Sequence, residues 1–290
     1  MPVFTKSSDI AHWTDPDFVP RPVVTIGASG IDTANFDTAD FDRKEMDFHR
    51  HNKGQLLLLL RGVFTTEVEG GLWIAPPQSA IWVPGGVQHR ISATGTIECY
   101  IAYIDASVSS ALPSKCCTIS TTPLLRELMI RSASFPMLYA EGGMETHLVT
   151  LLLDEFALAP TGNLHLPMPT DVRLRKIVET IMGDPADRGT IQTWARRVGL
   201  SERTLARLLI QETGMSFGRW RQQLQIMLAV KWLSTGASVQ QVADGLGYES
   251  AGNFITMFRK ALGTSPGRYR AGGAGFHHYG RSYTSREKGD

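Results

Sequence analysis

Three histidines in the first third of the chain have a spacing that could hold a metal ion. His49 and His51 are two positions apart, so in an extended strand they point to the same face. His89, which follows a Pro84-x-Gly86 turn, would bring a third imidazole to that face from a facing strand. Three imidazoles suit a late first-row divalent ion such as Zn²⁺. A second interpretation stays open, in which the three are hydrogen-bonded packing residues or contacts for a small-molecule effector, in a protein without a metal.

A second set of residues, in the last third of the chain, has the side-chain types that contact DNA. Arg can bind a guanine edge through two hydrogen bonds, Asn an adenine edge, Thr a base or a phosphate, and Lys a phosphate. Small residues let the backbone approach the groove. The predicted DNA-binding residues are Ser201, Arg203, Thr204, Ala206 and Arg207 on a first helix, and Ser250, Ala251, Gly252, Asn253, Thr256, Arg259 and Lys260 on a second.

An internal repeat defines the elements that must position this second set. Trp194-Ala195-x-x-x-Gly199-Leu200 recurs as Val242-Ala243-x-x-x-Gly247-Tyr248. In each copy a small residue lets two helices approach, a following glycine can take the positive φ of a tight turn, and a serine can cap the next helix. The pattern predicts two helix-turn-helix motifs. The predicted helix caps are Thr190, Ser201, Ser238 and Ser250.

One long helix, from Ser216 to about Ser234, is predicted between the two copies, because apolar residues recur at helical spacing from Phe217 to Trp232. Such a helix would hold the two motifs at a fixed separation. If the two recognition helices lie about one DNA turn apart, roughly 34 Å, they can enter successive major grooves of one duplex.

Residues 171–270 resemble the AraC/XylS family of bacterial transcription regulators. The segments that carry the resemblance are Trp194 to Leu205, Glu212 to Ser216, Val242 to Ser250 and Phe258 to Pro266. The resemblance implies that the first recognition helix contacts bases through Arg203, Ala206 and Arg207, and the second through residues 251–253 and Thr256. It also implies a homodimer as the assembly, with promoter or operator DNA, a small-molecule effector and RNA polymerase as partners.

The distribution of charge indicates that the two parts of the chain have different functions. The chain has 29 Lys and Arg against 28 Asp and Glu, and this net charge of +1 taken alone argues against a nucleic-acid binder. Residues 1–170, however, carry 11 basic and 18 acidic side chains, whereas residues 171–290 carry 18 basic and 10 acidic ones. The second part therefore has the excess of positive charge that a polyanion attracts.

The acidic part is predicted to be a small β sandwich or barrel. Its predicted strands run from Gln55 to Arg61, Val63 to Val68, Ser79 to Val83, Gln88 to Ala93 and Thr96 to Ile104. The stretches around His49 to Gln55 and Pro84 to His89 resemble the two motifs of the cupin barrel. The resemblance places Gln55 where cupins have a glutamate ligand, and a neutral amide is a poorer metal ligand. We therefore expect either a divalent metal such as zinc as the cofactor or no metal at all.

We predict a multidomain protein. Residues 1–160 form an all-β, cupin-like effector and dimerisation domain that ends in helices from Pro123 to Ser134 and from Met144 to Leu158. Residues 161–170 are a linker, residues 171–271 an all-α domain with two helix-turn-helix motifs, and residues 272–290 a disordered tail.

The expected function is a cytoplasmic transcription regulator that binds DNA in response to a small-molecule effector and is not an enzyme. The longest aliphatic run, Leu56 to Leu60, is far short of the roughly 20 residues that span a bilayer, so no membrane is expected. Two alternatives stay open: a metal-dependent cupin enzyme tethered to DNA, and a DNA-binding protein that needs no effector.

Overall fold

The computed structural model describes residues 3–4, 15–32, 48–75, 77, 79–162 and 164–270. In this part of the chain a β-sheet is followed by two helices and then by an all-helical domain. The predicted disordered tail, residues 272–290, lies outside the described residues. The strands are β1 (Val3–Phe4), β2 (Val23–Asp32), β3 (Gly54–Val68), β4 (Gly71–Ala75), β5 (Ser79–Val83), β6 (His89–Ile104), β7 (Cys117–Ser120), β8 (Thr161–Gly162) and β9 (His165–Pro167).

The sheet curls around an interior apolar cluster, in agreement with the predicted cupin-like fold. Its strand order is β1-β2-β6-β3-β5-β7-β8, with β4 paired to β3 and β9, and every pair except β1 with β2 is antiparallel. β3 bends near Gly62, where φ is +84° and the register with β6 shifts. Because of this bend, Leu57 and Leu59 from its first half pack with Phe64 from its second half.

The aliphatic run in β3 is explained by burial of both faces of the strand. Side chains alternate between the faces of a strand. Leu57 and Leu59 point into the interior cluster, whereas Leu56 and Leu58 pack in a second cluster that contains Phe156. A strand buried on both sides is apolar without alternation.

β6 is one strand, although two were predicted. Gly95, with a φ of +88°, lies at the predicted break, but the chain continues to pair on both sides of it. Thr94 pairs with Val63 of β3 before this glycine, and Thr96 pairs with Asp32 of β2 after it. The glycine therefore marks an irregularity inside the strand and not its end.

Two helices, α1 (Pro123–Ser132) and α2 (Met144–Leu158), pack on the outer face of the sheet. α1 ends slightly before the predicted Ser134, and α2 has the predicted bounds. On α2 the buried residues are Val149, Leu152 and Phe156. Leu151, which precedes the buried Leu152, is 44% exposed, because neighbouring positions on a helix lie about 100° apart.

The helical domain contains both predicted helix-turn-helix motifs. The first is α4 with α5, the second is α7 with α8, and α6 joins them; α3 precedes the pair and α9 follows it. The bounds are α3 (Val172–Gly183), α4 (Ile191–Arg197), α5 (Glu202–Thr213), α6 (Phe217–Ser234), α7 (Val239–Gly245), α8 (Ala251–Leu262) and α9 (Pro266–Arg270). The long helix predicted from Ser216 to about Ser234 is α6.

Each local feature that defined the motifs in the sequence is present. Thr190, Ser201, Ser238 and Ser250 cap their helices by accepting a backbone N–H, in each case at 3.2 Å. Both turn glycines have positive φ, +70° at Gly199 and +74° at Gly247. The two predicted close-packing residues, Ala195 and Ala243, are buried.

The two domains share one apolar core. Leu72 and Ile74 of β4 lie in the same cluster as Trp220 and Leu224 of α6. In addition, Trp220 Nε1 donates a hydrogen bond to Pro167 O at 2.9 Å. None of the helices in the described ranges is long and apolar enough to cross a bilayer.

Half of residues 161–170, the segment predicted as a linker, lie in two strands of the sheet. β8 pairs with β7, and β9 pairs with β4. The prolines concealed these strands in the sequence, because proline lacks the N–H that a ladder uses. β9 pairs on one side only among the described strands, and an edge position tolerates Pro167.

Candidate nucleic-acid interface and histidine cluster

The exposed faces of α5 and α8 carry the predicted DNA-binding residues. Exposed are Ser201, Arg203, Arg207, Ser250, Gly252, Asn253, Thr256, Arg259 and Lys260. Half-buried are Thr204, Ala206 and Ala251. The opposite faces are buried, through Leu205 and Leu209 on α5 and through Phe254 and Phe258 on α8. Each helix is therefore anchored by one face and open to a partner on the other, and contact of these residues with DNA stays a prediction.

The cations on these two helices are available to an outside anion. Among the described residues, none of the salt bridges involves Arg203, Arg207, Arg259 or Lys260. Other arginines of the same domain do have internal partners, as Arg197 Nη1 has in Asp187 Oδ2 at 2.7 Å. Positive charge is thus left unpaired on the faces where DNA contact is predicted.

The hydroxyl groups in the predicted set already have partners inside the protein. Ser201 Oγ lies 2.8 Å from Thr204 Oγ1 in addition to its capping bond, and Thr256 Oγ1 donates to Gly252 O at 2.9 Å. Ser201, Thr204 and Ser250 therefore engage the start of their helix, which the sequence predicted only for Ser201 and Ser250, whereas Thr256 bonds within α8.

The loop between α3 and α4 fixes the two motifs relative to each other. Arg188 Nε donates to Gly247 O at 2.5 Å, in the turn of the second motif. Arg221 of α6 donates to the carbonyl oxygens of Asp187 and Gly189 in the same loop. Sequence analysis did not identify these residues, because their acceptors are backbone carbonyls distant in the chain, and such contacts leave no periodic pattern.

The three candidate metal ligands are brought together by a short antiparallel bridge. His49 N donates to His89 O at 2.9 Å and His89 N donates to His49 O at 2.8 Å, so their side chains lie side by side. His51 follows on the same face, and its carbonyl accepts the N–H of Gly86 at 2.7 Å. A ring nitrogen from each histidine lies within 4.8 Å of the others. Their role as ligands stays a prediction.

Comparison with known proteins matches both halves of the chain. The family model of an AraC-like ligand binding domain matches residues 37–128, and that of a helix-turn-helix domain matches residues 194–272. The transcriptional regulator NimR of Escherichia coli strain K12 is 44% identical over 223 residues, which cover 77% of this chain and 81% of NimR. The chain belongs to the AraC family of transcription regulators.

Two other similar proteins match less than half of the chain. The arabinose operon regulatory protein of Escherichia coli strain K12 is 33% identical over 138 residues, 46% of this chain and 47% of that protein. The DNA-binding domain of AdpA, solved in complex with a target DNA, is 29% identical, covers 33% of this chain and 87% of its own, and has a TM-score of 0.32. This AraC-family regulator therefore combines a DNA-binding helix-turn-helix domain with an N-terminal ligand-binding domain.

In this AraC-family regulator the environments of His51 and His89 favour the neutral form of these two rings. Burial lowers the pKa of His89 to about 4. Burial also lowers the pKa of His51, and the neighbouring His49 lowers it further, against the opposing effect of Asp17 and Asp15. A neutral imidazole is the form that binds a metal ion.

The hydrogen bonds of His89 direct one nitrogen toward the cluster. Nδ1 lies 2.9 Å from Val87 O, and Nε2 lies 2.9 Å from Oε1 of Gln55, which is 1% exposed. A neutral ring can donate its one proton to only one of these two oxygens. With the proton on Nδ1, the lone pairs of Nε2 and Oε1 face each other, and a cation bound by both atoms would satisfy them.

His51 adds a second observation that favours a cation. Its Nε2 atom is buried and has no hydrogen-bond partner among the described residues. A buried polar atom without a partner is unfavourable, and a bound ion would satisfy it. The donor set of imidazoles therefore fits a divalent ion.

Proposed function

We propose that this AraC-family regulator binds a specific promoter or operator through α5 and α8, and that a small-molecule effector in the N-terminal domain changes this binding. The observation that carries the proposal is the set of four exposed cations on these helices, Arg203, Arg207, Arg259 and Lys260, without ion-pair partners among the described residues. Phosphates and guanine edges are the partners that such side chains take in DNA.

The proposal is tested by measuring DNA affinity on a site selected from a pool of randomised duplexes. Arg207→Ala should weaken binding to the selected site by about 1–3 kcal/mol and leave binding to unrelated DNA nearly unchanged, if the guanidinium contacts a base. Arg126→Ala is the control, because Arg126 lies on α1 and pairs with Glu127. An equal loss on every sequence would make Arg207 a phosphate contact, and no loss at all would refute the proposed interface.

We further propose that His49, His51 and His89 hold a divalent ion such as Zn²⁺, with Gln55 beside it. The supporting observations are the closeness of three ring nitrogens, the buried Nε2 of His51 and the contact of His89 Nε2 with Oε1 of Gln55 at 2.9 Å. A bound Zn²⁺ would supply a Lewis acid for an oxygen of the effector.

Metal titration followed by calorimetry and elemental analysis tests this proposal. The wild-type chain should take up one Zn²⁺, and His89→Ala should lose it. His147→Ala is the matched control, because His147 is exposed on α2. If the wild-type chain takes up no stoichiometric ion, the three histidines are packing residues or direct contacts of the effector.

We also infer that the chain acts as a regulator and not as an enzyme, because the relatives it matches are named as transcription regulators. The alternative of a DNA-tethered cupin enzyme requires turnover of a small substrate by the metal-loaded chain. The alternative of an effector-independent DNA binder requires that no small molecule changes DNA affinity. The cytoplasm as the place of action and contact with RNA polymerase stay predictions.

We propose a homodimer formed through α2. The supporting observation is a stripe of exposed apolar side chains on this helix, with Met144 62%, Leu151 44% and Leu158 81% exposed, which a second copy of the helix would cover. Leu151→Glu should convert a dimer to a monomer in analytical ultracentrifugation. Leu124→Glu is the control, because Leu124 is similarly exposed on α1, outside the stripe. A wild-type chain that sediments as a monomer would refute the proposal.

A further inference from the structure

A cavity of about 650 Å³ lies at the junction of the two domains. The sheet domain lines it with Val68, Trp73 and Val87, and α6 lines it with Arg219 and Gln223. Its volume falls within the range of roughly 300–1,000 Å³ that small-molecule sites have. The cavity is distinct from the histidine cluster, since none of the three histidines lines it.

The sheet side of this junction cavity offers a flat, apolar surface. The rings of Trp73 and His165 are stacked, with centroids 4.3 Å apart and an angle of 26° between their planes. Burial lowers the pKa of His165, so this stack is uncharged near neutral pH. Burial also raises the pKa of Cys116 to about 12 and that of Cys117 to about 11, so both remain thiols. Protonated thiols behave as small apolar groups and not as nucleophiles.

Two cations face the same cavity from opposite domains. Lys115 belongs to the sheet domain and Arg219 to α6; both are exposed, and neither takes part in the ion pairs of the described residues. Arg219 lies in the first turn of α6, where the helix dipole disfavours a cation and favours an anion. Glu69 is the one acidic residue of the lining. The cavity thus presents an excess of positive charge beside an aromatic wall.

We propose that the junction cavity binds a small molecule that carries one negatively charged group on a flat, apolar body. The body would lie against Trp73, and the anionic group between Lys115 and Arg219. The ligand would therefore contact both domains at once, and a ligand that prefers one arrangement of two domains shifts the protein toward it.

The regulatory meaning of this site rests on the proposed function. α6 joins the two helix-turn-helix motifs, and Met215, which lines the cavity, directly follows Gly214 at the end of α5. A ligand in the cavity therefore lies against the elements that hold the first recognition helix. Ligand binding itself does not depend on DNA, so the two proposals can fail separately.

Two fluorescent probes that differ by one charge test the binding site on the full chain. 8-Anilinonaphthalene-1-sulfonate carries a sulfonate on an aromatic body, and N-phenyl-1-naphthylamine has the same rings without it. The wild-type chain should bind one molecule of the sulfonate probe, about tenfold more tightly than the neutral probe, because charge-assisted contacts are strong.

Substitutions separate the charge from the aromatic wall. Lys115→Met and Arg219→Met should each weaken the sulfonate probe several-fold and leave the neutral probe unchanged, whereas Trp73→Leu should weaken both probes. Lys176→Met is the control, because Lys176 is exposed on α3 away from the cavity lining. Equal affinity for the two probes, non-saturable binding of many molecules per chain, or no effect of the two methionine variants would overturn the proposal.

The regulatory consequence has its own measurement. Saturating sulfonate probe should change the DNA affinity of the wild-type chain at least several-fold and that of Lys115→Met far less at the same probe concentration. If the probe binds as described but the chain binds no DNA, the proposed function fails and the site remains. If DNA binds and the probe does not, the site fails and the proposed function remains.

Discussion

The serine at the start of each recognition helix is engaged by the helix itself. Ser250 Oγ accepts the backbone N–H of Asn253, and Ser201 Oγ accepts that of Thr204, so both cap the helix. Both residues are also exposed at the predicted DNA interface. The two roles make different demands, since a cap needs an acceptor oxygen and a site next to phosphates excludes negative charge.

Substitution of Ser250 separates these roles. Ser250→Ala should lower the free energy of unfolding by about 1 kcal/mol, because one free N–H loses its acceptor. Ser250→Asp should keep the stability, since Asp caps as well as Ser, but should weaken DNA binding by placing a carboxylate near phosphates. Urea denaturation and DNA titration measure the two effects. Unchanged DNA affinity in Ser250→Asp would remove the start of α8 from the interface.

Residue-scale features were predictable where their cause is local. A cap or a turn glycine depends on a few consecutive residues, and Ser201, Ser250, Gly199 and Gly247 all have the expected conformation. The Arg188 contact with Gly247 O was not predictable, because it joins residues far apart in the chain through a backbone acceptor.

At the scale of elements, the turn glycine of the second motif is more closely packed than that of the first. A Cβ atom at Gly247 would lie 2.6 Å from Ala186 O, in the loop between α3 and α4, whereas a Cβ at Gly199 would meet nothing within 4 Å. Both glycines have positive φ. Substitution by alanine therefore costs backbone strain alone at Gly199, whereas at Gly247 it costs backbone strain and a steric clash with the loop.

The variants Gly199→Ala and Gly247→Ala together measure the cost of the steric clash at Gly247. Gly199→Ala should lower the free energy of unfolding by about 1–2 kcal/mol, the usual cost of a left-handed residue with a side chain. Gly247→Ala should cost about 1–3 kcal/mol more, because the loop must move away from the turn. If urea denaturation shows that both variants lose the same free energy of unfolding, the loop moves away from the turn without cost and does not fix the second motif.

The prediction of elements succeeded where the local pattern was strong and failed for strands that owe their extended form to distant partners. The helices α2 and α6 and the five-residue strand β5 were predicted. β4, β7, β8 and β9 were not predicted, and neither was the ten-residue β2, which pairs with the distant β6. His49 and His89 were predicted as metal ligands from their motifs, which stays a prediction, whereas their direct pairing follows from the register of the sheet.

At the scale of the whole molecule, the small net charge is the sum of an acidic first part of the chain and a basic second part. The excess of basic residues after residue 170 predicts binding that releases counterions from DNA. The logarithm of the affinity should therefore fall linearly with the logarithm of the salt concentration, with a slope of about −0.9 for each phosphate contacted. Lys260→Met should reduce the magnitude of this slope by about 1 and Arg126→Met should not change it. A flat salt response of the wild type would contradict the electrostatic basis of binding.

The shared core between the domains makes a further prediction about their cooperativity. Leu72 of β4 packs in the cluster that also contains Trp220 and Leu224 of the helical domain, whereas Leu58 of β3 packs in the cluster under α1 and α2. Both leucines are buried, with 8% and 0% exposure. Truncation of either should cost about 2–5 kcal/mol in the sheet domain, through lost burial and a cavity.

The two truncations should differ in what they do to the helical domain. Leu72→Ala removes contacts from a core that both domains use, so it should lower the unfolding midpoints of both domains. Leu58→Ala should lower that of the sheet domain first and affect the helices only if the domains unfold together. Hydrogen exchange of backbone amides in α6 and in β3 separates the two cases. Unchanged protection of α6 in Leu72→Ala would mean that the helical domain keeps its stability without the sheet, and that an effector must act through another contact than this core.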